Sequence, residues 1–266
     1  MTGQCLTAGL HGRLLAAATS VALAATGLVG CVSSGPRPTN GADAARINVQ
    51  LGMDYLQRGE LALAQTKLQR ALSEDSHNPD VHEALAMLDE RLGEATQADK
   101  EYRRALDLSR RSPAILNGYA VYLCSHGRAT EGVEMFEEAA VNALYRTPWV
   151  AYTNAGVCLR TVHREQEAMQ RFTRALQLSP TYSEAVFQAS DTAFTLRQYQ
   201  QARQRIDGFL AGNPATPDLL LLGWRIAAAQ KDARGQEFYA ARLSKEFPTS
   251  QQRHTLQLAA AEGGSG

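Results

Sequence analysis

One row of small and large residues recurs at 34-residue intervals through residues 45–250, and a period of that length restricts a chain to stacked, repeated units. In 45–78 the row is Leu51-Gly52, Tyr55, Gly59, Ala64, Leu68, Ala71. One period on it reads Leu85-Ala86, Asp89, Gly93, Ala98, Tyr102, Ala105, and then Tyr119-Ala120, Leu123, Gly127, Gly132, Phe136, Ala139. After a two-residue insertion at Thr147-Pro148 it returns as Ala155-Gly156, Leu159, His163, Ala168, Phe172, Ala175, Pro180. It continues as Ala189-Ser190, Ala193, Arg197, Ala202, Ile206, Phe209, Pro214, and a worn sixth copy has Gly223-Trp224, Ala227, Lys231, Gln236, Ala240, Leu243, Pro248. The six units are 45–78, 79–112, 113–146, 149–182, 183–216 and 217–250.

Alanine and leucine are abundant and β-branched runs are rare, so each unit reads as helical. Small residues at the eighth and twentieth places let two antiparallel helices approach closely. Large ones at the fourth, seventh, eleventh and twenty-fourth fill the space between hairpins. Glycine near the fifteenth place gives the turn, and proline near the thirty-second ends the second helix. A single hairpin cannot bury its apolar face, so the units must stack. An Ala/Leu-rich bundle would mimic parts of this pattern but would not hold six copies in near-fixed register. The row resembles the tetratricopeptide repeat, which implies an all-α, right-handed solenoid of six helix-turn-helix units. Residues 251–262 then read as a terminal capping helix with Leu256 and Leu258, and the GGSG ending as disordered, together making up 251–266.

The start of the chain has a different character. Residues 1–30 hold one charged side chain, Arg13, before an apolar run from Leu14 to Val29 that is shorter than the ~20 residues needed to span hydrocarbon. A basic start, an apolar centre and a small residue at the cut mark a secretory signal. Leu28-Val29-Gly30-Cys31 resembles the bacterial lipobox, which implies cleavage before Cys31 and acylation of its thiol. Val32 in place of Asp implies sorting to the outer membrane of a Gram-negative bacterium, facing the periplasm. Several acyl chains anchor durably where one binds marginally. Residues 31–44, rich in Pro, Gly, Ser and Asn, read as the lipidated end and a flexible leash of roughly 40 Å reach.

Removing Arg13 with the signal leaves 26 Lys+Arg against 27 Asp+Glu, a balance that argues against a nucleic-acid surface. The histidines His11, His77, His82, His126, His163 and His254 show no HExxH spacing; His77 and His82 flank a predicted turn and read as solvated. There is no phosphate loop and no G-x-S-x-G elbow. Glu137-Glu138 reads as a solvated helix face. These readings point to a non-enzyme with no metal, no small-molecule substrate and no cofactor beyond the lipid on Cys31.

Cys124 and Cys158 fall at the twelfth and tenth places of neighbouring first helices, which pack side by side, so their side chains could face each other. An oxidising periplasm favours closing such a pair; the other reading is two separate buried thiols acting as small apolar groups. In tetratricopeptide solenoids the first helix of each hairpin lines the concave side. The corresponding residues here are Met53, Leu56, Met87, Asn117, Val121, Thr153, Asn154, Val157, Phe187, Asp191 and Phe194, a mixture suited to an extended or helical segment of a partner protein. The basic carboxylate clamp of chaperone-binding relatives is absent.

The stretches Asn117-Gly118-Tyr119, Leu123-Cys124, Gly127-Arg128 and Tyr152-Thr153-Asn154-Ala155-Gly156-Val157-Cys158 are similar to those of the PilF/PilW family of type IV pilus biogenesis lipoproteins. That resemblance implies a pilotin, which binds the pilus secretin subunit, brings it to the outer membrane and promotes multimer assembly, supporting pilus formation and twitching. The competing reading is a lipoprotein scaffold that recruits cell-wall or envelope-assembly proteins.

Overall fold

A computed structural model describes residues 40–263, and every regular element in that span is an α-helix. Six hairpins follow one another: α1 (Gly41–Gln57) with α2 (Leu61–Glu74), α3 (Pro79–Leu92) with α4 (Ala95–Leu108), and α5 (Pro113–Ser125) with α6 (Ala129–Val141). Then come α7 (Pro148–Thr161) with α8 (Glu165–Leu178), α9 (Ser183–Thr195) with α10 (Tyr199–Leu210), and α11 (Pro217–Ala229) with α12 (Ala233–Glu246), closed by α13 (Gln251–Gly263). The signal, Cys31 and the leash up to residue 39 lie outside the described residues, as do residues 264–266.

The first helix begins earlier than the leash at 31–44 allowed. Asn40 caps it, its side-chain oxygen accepting from the Asp43 N–H at 2.9 Å, so 41–44 are helical. Proline stands in the first turn of α3, α5, α7 and α11, where its missing N–H costs no hydrogen bond. Each hairpin turn passes through the left-handed region at the fifteenth place: Gly59, Gly93 and Gly127 in the first three, but His163, Arg197 and Lys231 in the last three.

Small residues do bring the paired helices together. A Cβ on Gly156 would fall inside the Phe172 ring. In the sixth hairpin the contact residues are Gly223, Gly235 and Tyr239, each buried, where the repeated row points to Trp224, Gln236 and Ala240. Tyr239 sets this one-residue shift, because a Cβ at Gly223 would sit 2.5 Å from its ring, and Asp232 caps α12 through the Gly235 N–H.

Four of the five successive pairs of first helices touch (α1 with α3, α5 with α7, α7 with α9, α9 with α11), while successive second helices make no comparable contact. The first helices therefore line the inside of the curve. Apolar contacts run through the array in three linked clusters. Polar ties reinforce the seams: Tyr119 donates to Asp99 at 2.7 Å, Arg128 also reaches Asp99, and Glu138 accepts from Arg111. Glu137 pairs with Arg171, so the acidic pair at 137–138 serves inter-hairpin ion pairs, not merely a solvated face. At the end of the array, Leu256 of α13 is buried on the last hairpin, whereas Leu258 is 55% exposed.

Candidate functional site

The inner face is built from α1, α3, α5, α7, α9 and α11. At its centre Cys124 and Cys158 form a disulfide, with their Cα atoms 5.6 Å apart, joining α5 to α7. The bond floors an apolar notch of about 280 Å³ lined by Val121, Ser125, Phe136, Asn154, Val157 and Thr161 as well as the two cysteines. Val121 stands half exposed at its rim. Beside it, Asn154 donates to Asn117 at 3.2 Å, so the two amides bridge neighbouring hairpins and keep further polar capacity toward the groove.

Not every expected groove residue lies in the groove. Leu56 (3% exposed) and Thr153 (1%) are packed inside the array, and the Thr153 hydroxyl donates to the Trp149 carbonyl at 2.7 Å. Their helix positions turn toward the neighbouring hairpin, which removes both from the candidate surface. Met53, Met87, Val157, Phe187 and Phe194 are partly buried and keep an accessible edge. Asp191 accepts from Arg160 at 2.6 Å, so its charge is matched before any partner arrives. Arg225 lies over the Phe194 ring, 5.0 Å from its centroid.

Two features escaped the sequence reading. Glu83 of α3 lies against the inner-face Gly118, where a Cβ would come within 2.7 Å of its Oε1, and it has no hydrogen-bond or ion-pair partner among the described residues. Burial, with a smaller push from Asp80, raises its carboxyl to about 7. A partner cation would find an unmatched carboxylate there. His82 is buried and not solvated: its Nδ1 meets Glu101 at 2.6 Å and its Nε2 the Ser76 carbonyl at 3.0 Å, pinning the turn between the first two hairpins. Among the described residues no group of three or more His, Cys, Asp or Glu is placed to hold a metal, and no helix is long and apolar enough to cross a membrane.

A curved layer of parallel helices with an apolar notch and mixed polar rims defines a helical-repeat scaffold of the tetratricopeptide class, a fold for protein–protein interaction. No protein-family model matches the chain. It is 33% identical over 245 residues to the type IV pilus assembly protein PilF of Pseudomonas aeruginosa, spanning 90% of this chain and 97% of that one. The solved structure of Pseudomonas aeruginosa PilF superposes with a TM-score of 0.64 at 30% identity, covering 82% of this chain and 99% of PilF. PilW, a type IV pilus biogenesis factor, superposes at 0.65 and 27% identity over 80% of this chain and 98% of its own. The chain belongs to the PilF family of type IV pilus assembly proteins.

Proposed function

We propose that this protein is a pilotin: acylated on Cys31 and held at the periplasmic face of the outer membrane, it binds the pilus secretin subunit and promotes its localisation and assembly. The observation that carries this reading is the 33% identity to PilF across 90% of the chain. The physical arrangement suits the role. Lipid supplies an address, the segment before Asn40 supplies reach, and confinement of both partners to one surface raises their effective concentration. The half-exposed notch at Val121 is the place where an apolar side chain of the secretin would seat.

Deleting the gene should abolish secretin multimers on gels of unboiled membranes and abolish twitching. Complementation with Cys31→Ala should remove the protein from the outer-membrane fraction, and complementation with Val121→Glu should give a normally folded protein that fails to restore multimers. Unchanged multimers and normal twitching in the deletion strain would overturn the proposal. Altered cell shape with intact pili would point instead to an envelope-assembly scaffold.

A further inference from the structure

The two most exposed large apolar side chains among the described residues are neighbours in one turn. Val141 is 74% exposed and Leu144 is 84% exposed, at and just after the end of α6. Their presentation is built in: the Asn142 side chain accepts from the Leu144 N–H at 2.9 Å and the Asn142 carbonyl from the Tyr145 N–H at 3.0 Å. This tight turn holds Leu144 outward. The turn is also where the 34-residue period is lengthened by two residues.

Basic residues surround it. The turn after α4 and the turn after α6 enclose an open cleft of about 600 Å³ whose lining includes Arg110, Arg111, Arg146 and Leu144. Arg111 is matched by Glu138, but Arg110 and Arg146 have no ion-pair partner among the described residues. The other inter-hairpin turns are different. Asp75 and Asp80 stand at the first, Glu184 at the fourth and Asp218 at the fifth, whereas the second and third turns bring together Arg110, Arg111 and Arg146, with Asp107 near Arg111 at the end of α4.

Topology places this patch on a particular edge. Consecutive helices alternate in direction, so every first helix starts at the same edge of the array, and all inter-hairpin turns lie there with Asn40. The hairpin turns at Gly59 through Lys231 lie at the opposite edge. The chain that leads back to Cys31 therefore joins the solenoid on the edge that bears Leu144. Eight residues lie between Cys31 and Asn40, a reach of at most ~30 Å from one to the other, and three hairpin steps at ~10 Å each separate α1 from α7.

We propose that Val141, Leu144, Arg110 and Arg146 form a membrane-docking patch that lays the inter-hairpin edge of the solenoid on anionic phospholipid. The inference rests on the acyl anchor at Cys31 proposed above. Leucine and valine enter the headgroup region while the two unmatched guanidinium groups meet lipid phosphates, an arrangement that a single tether cannot impose. The docked protein holds its long axis along the membrane, and the inner face opens sideways within the periplasm.

The test uses the lipidated, full mature protein carrying Leu144→Cys labelled with a polarity-sensitive fluorophore, since Cys31 is acylated and Cys124 and Cys158 are bonded. A matched protein carries the label at His163→Cys on the opposite edge, where the side chain is 91% exposed. Both are bound to vesicles of phosphatidylethanolamine and phosphatidylglycerol, with brominated lipid as quencher. The expected result is a blue shift and strong quenching at 144, neither at 163, and release of the 144 label by Arg110→Glu/Arg146→Glu and by added salt. Each arginine should contribute about fivefold to docking. A label at 144 that stays in water while the protein remains on the vesicles overturns the patch and leaves it to a protein contact. Equal quenching at both positions also overturns it. Mature protein whose mass shows no acyl group on Cys31 refutes the acyl anchor, and the docking falls with it.

Discussion

Gly127→Ala should destabilise the protein, and Lys231→Gly should stabilise it, by nearly the same amount. Both residues occupy the fifteenth place of a repeat with φ of 75° and 58°. A residue with a Cβ loses about 1–2 kcal/mol in the left-handed region. Replacing glycine by alanine recovers about 0.5–1 kcal/mol, because glycine gives up more freedom on folding. The net cost of Gly127→Ala is therefore ~0.5–1 kcal/mol. No packing contribution confuses that figure, since a Cβ at Gly59, Gly93 or Gly127 would meet nothing within 4 Å. Lys231 is exposed and makes no ion pair among the described residues, so Lys231→Gly removes strain without removing a contact. Arg197→Gly, where φ is 59°, should behave alike, and the double variant should gain ~1–2 kcal/mol because the turns belong to different hairpins. Urea unfolding followed by circular dichroism would read these changes as midpoint shifts of a few tenths molar. A midpoint for Gly127→Ala equal to or above that of the parent, or a lowered one for Lys231→Gly, would refute the reasoning.

Two further outcomes follow from the inner face. Reducing the Cys124–Cys158 bond, or replacing both cysteines by serine, reopens a loop of 34 residues and should cost about 3–4 kcal/mol in the chain-entropy account, measured by unfolding with and without reductant. Glu83 should make stability fall as pH rises: its carboxyl sits at about 7 in the folded chain against an ordinary 4.5, so the contribution is full below 4.5 and lost through 7. Unfolding of Glu83→Gln across that window should give a flatter profile than the parent and greater stability above pH 7; parallel profiles would remove burial of this carboxyl as the cause.

Much of this architecture is written in residues that act within one hairpin. Gly59, Gly93 and Gly127 mark turns because only the local backbone decides there, and Gly156 marks a close approach that its own partner helix enforces. What lay beyond the sequence depends on contacts between helices, some across a single hairpin and some between neighbouring hairpins. Leu56 and Thr153 occupy groove-type places in the repeat, yet the neighbouring hairpin covers them. His82 reads as a turn residue, but Glu101 of the paired helix, 19 residues on, encloses it. In the sixth hairpin only the close contact moves by one place, to Gly223 against the Tyr239 ring, while Ala227, Lys231 and Leu243 keep the register of the row. Glu83 was missed for the same reason: an isolated acidic residue on a helix gives no sign of burial until Gly118 of the next hairpin lies against it.

A stack of hairpins held by nearest-neighbour contacts flexes like a spring, each coil yielding on its own. The Cys124–Cys158 bond welds the third coil to the fourth, at the middle of the six. Strain applied to either end is then absorbed before it reaches the centre, so the array has a stiff hub between two compliant arms. A segment seated on the hub meets a shape that does not change, while the arms are free to close around whatever extends beyond it. Stiffness and compliance are thereby assigned to different parts of one continuous surface.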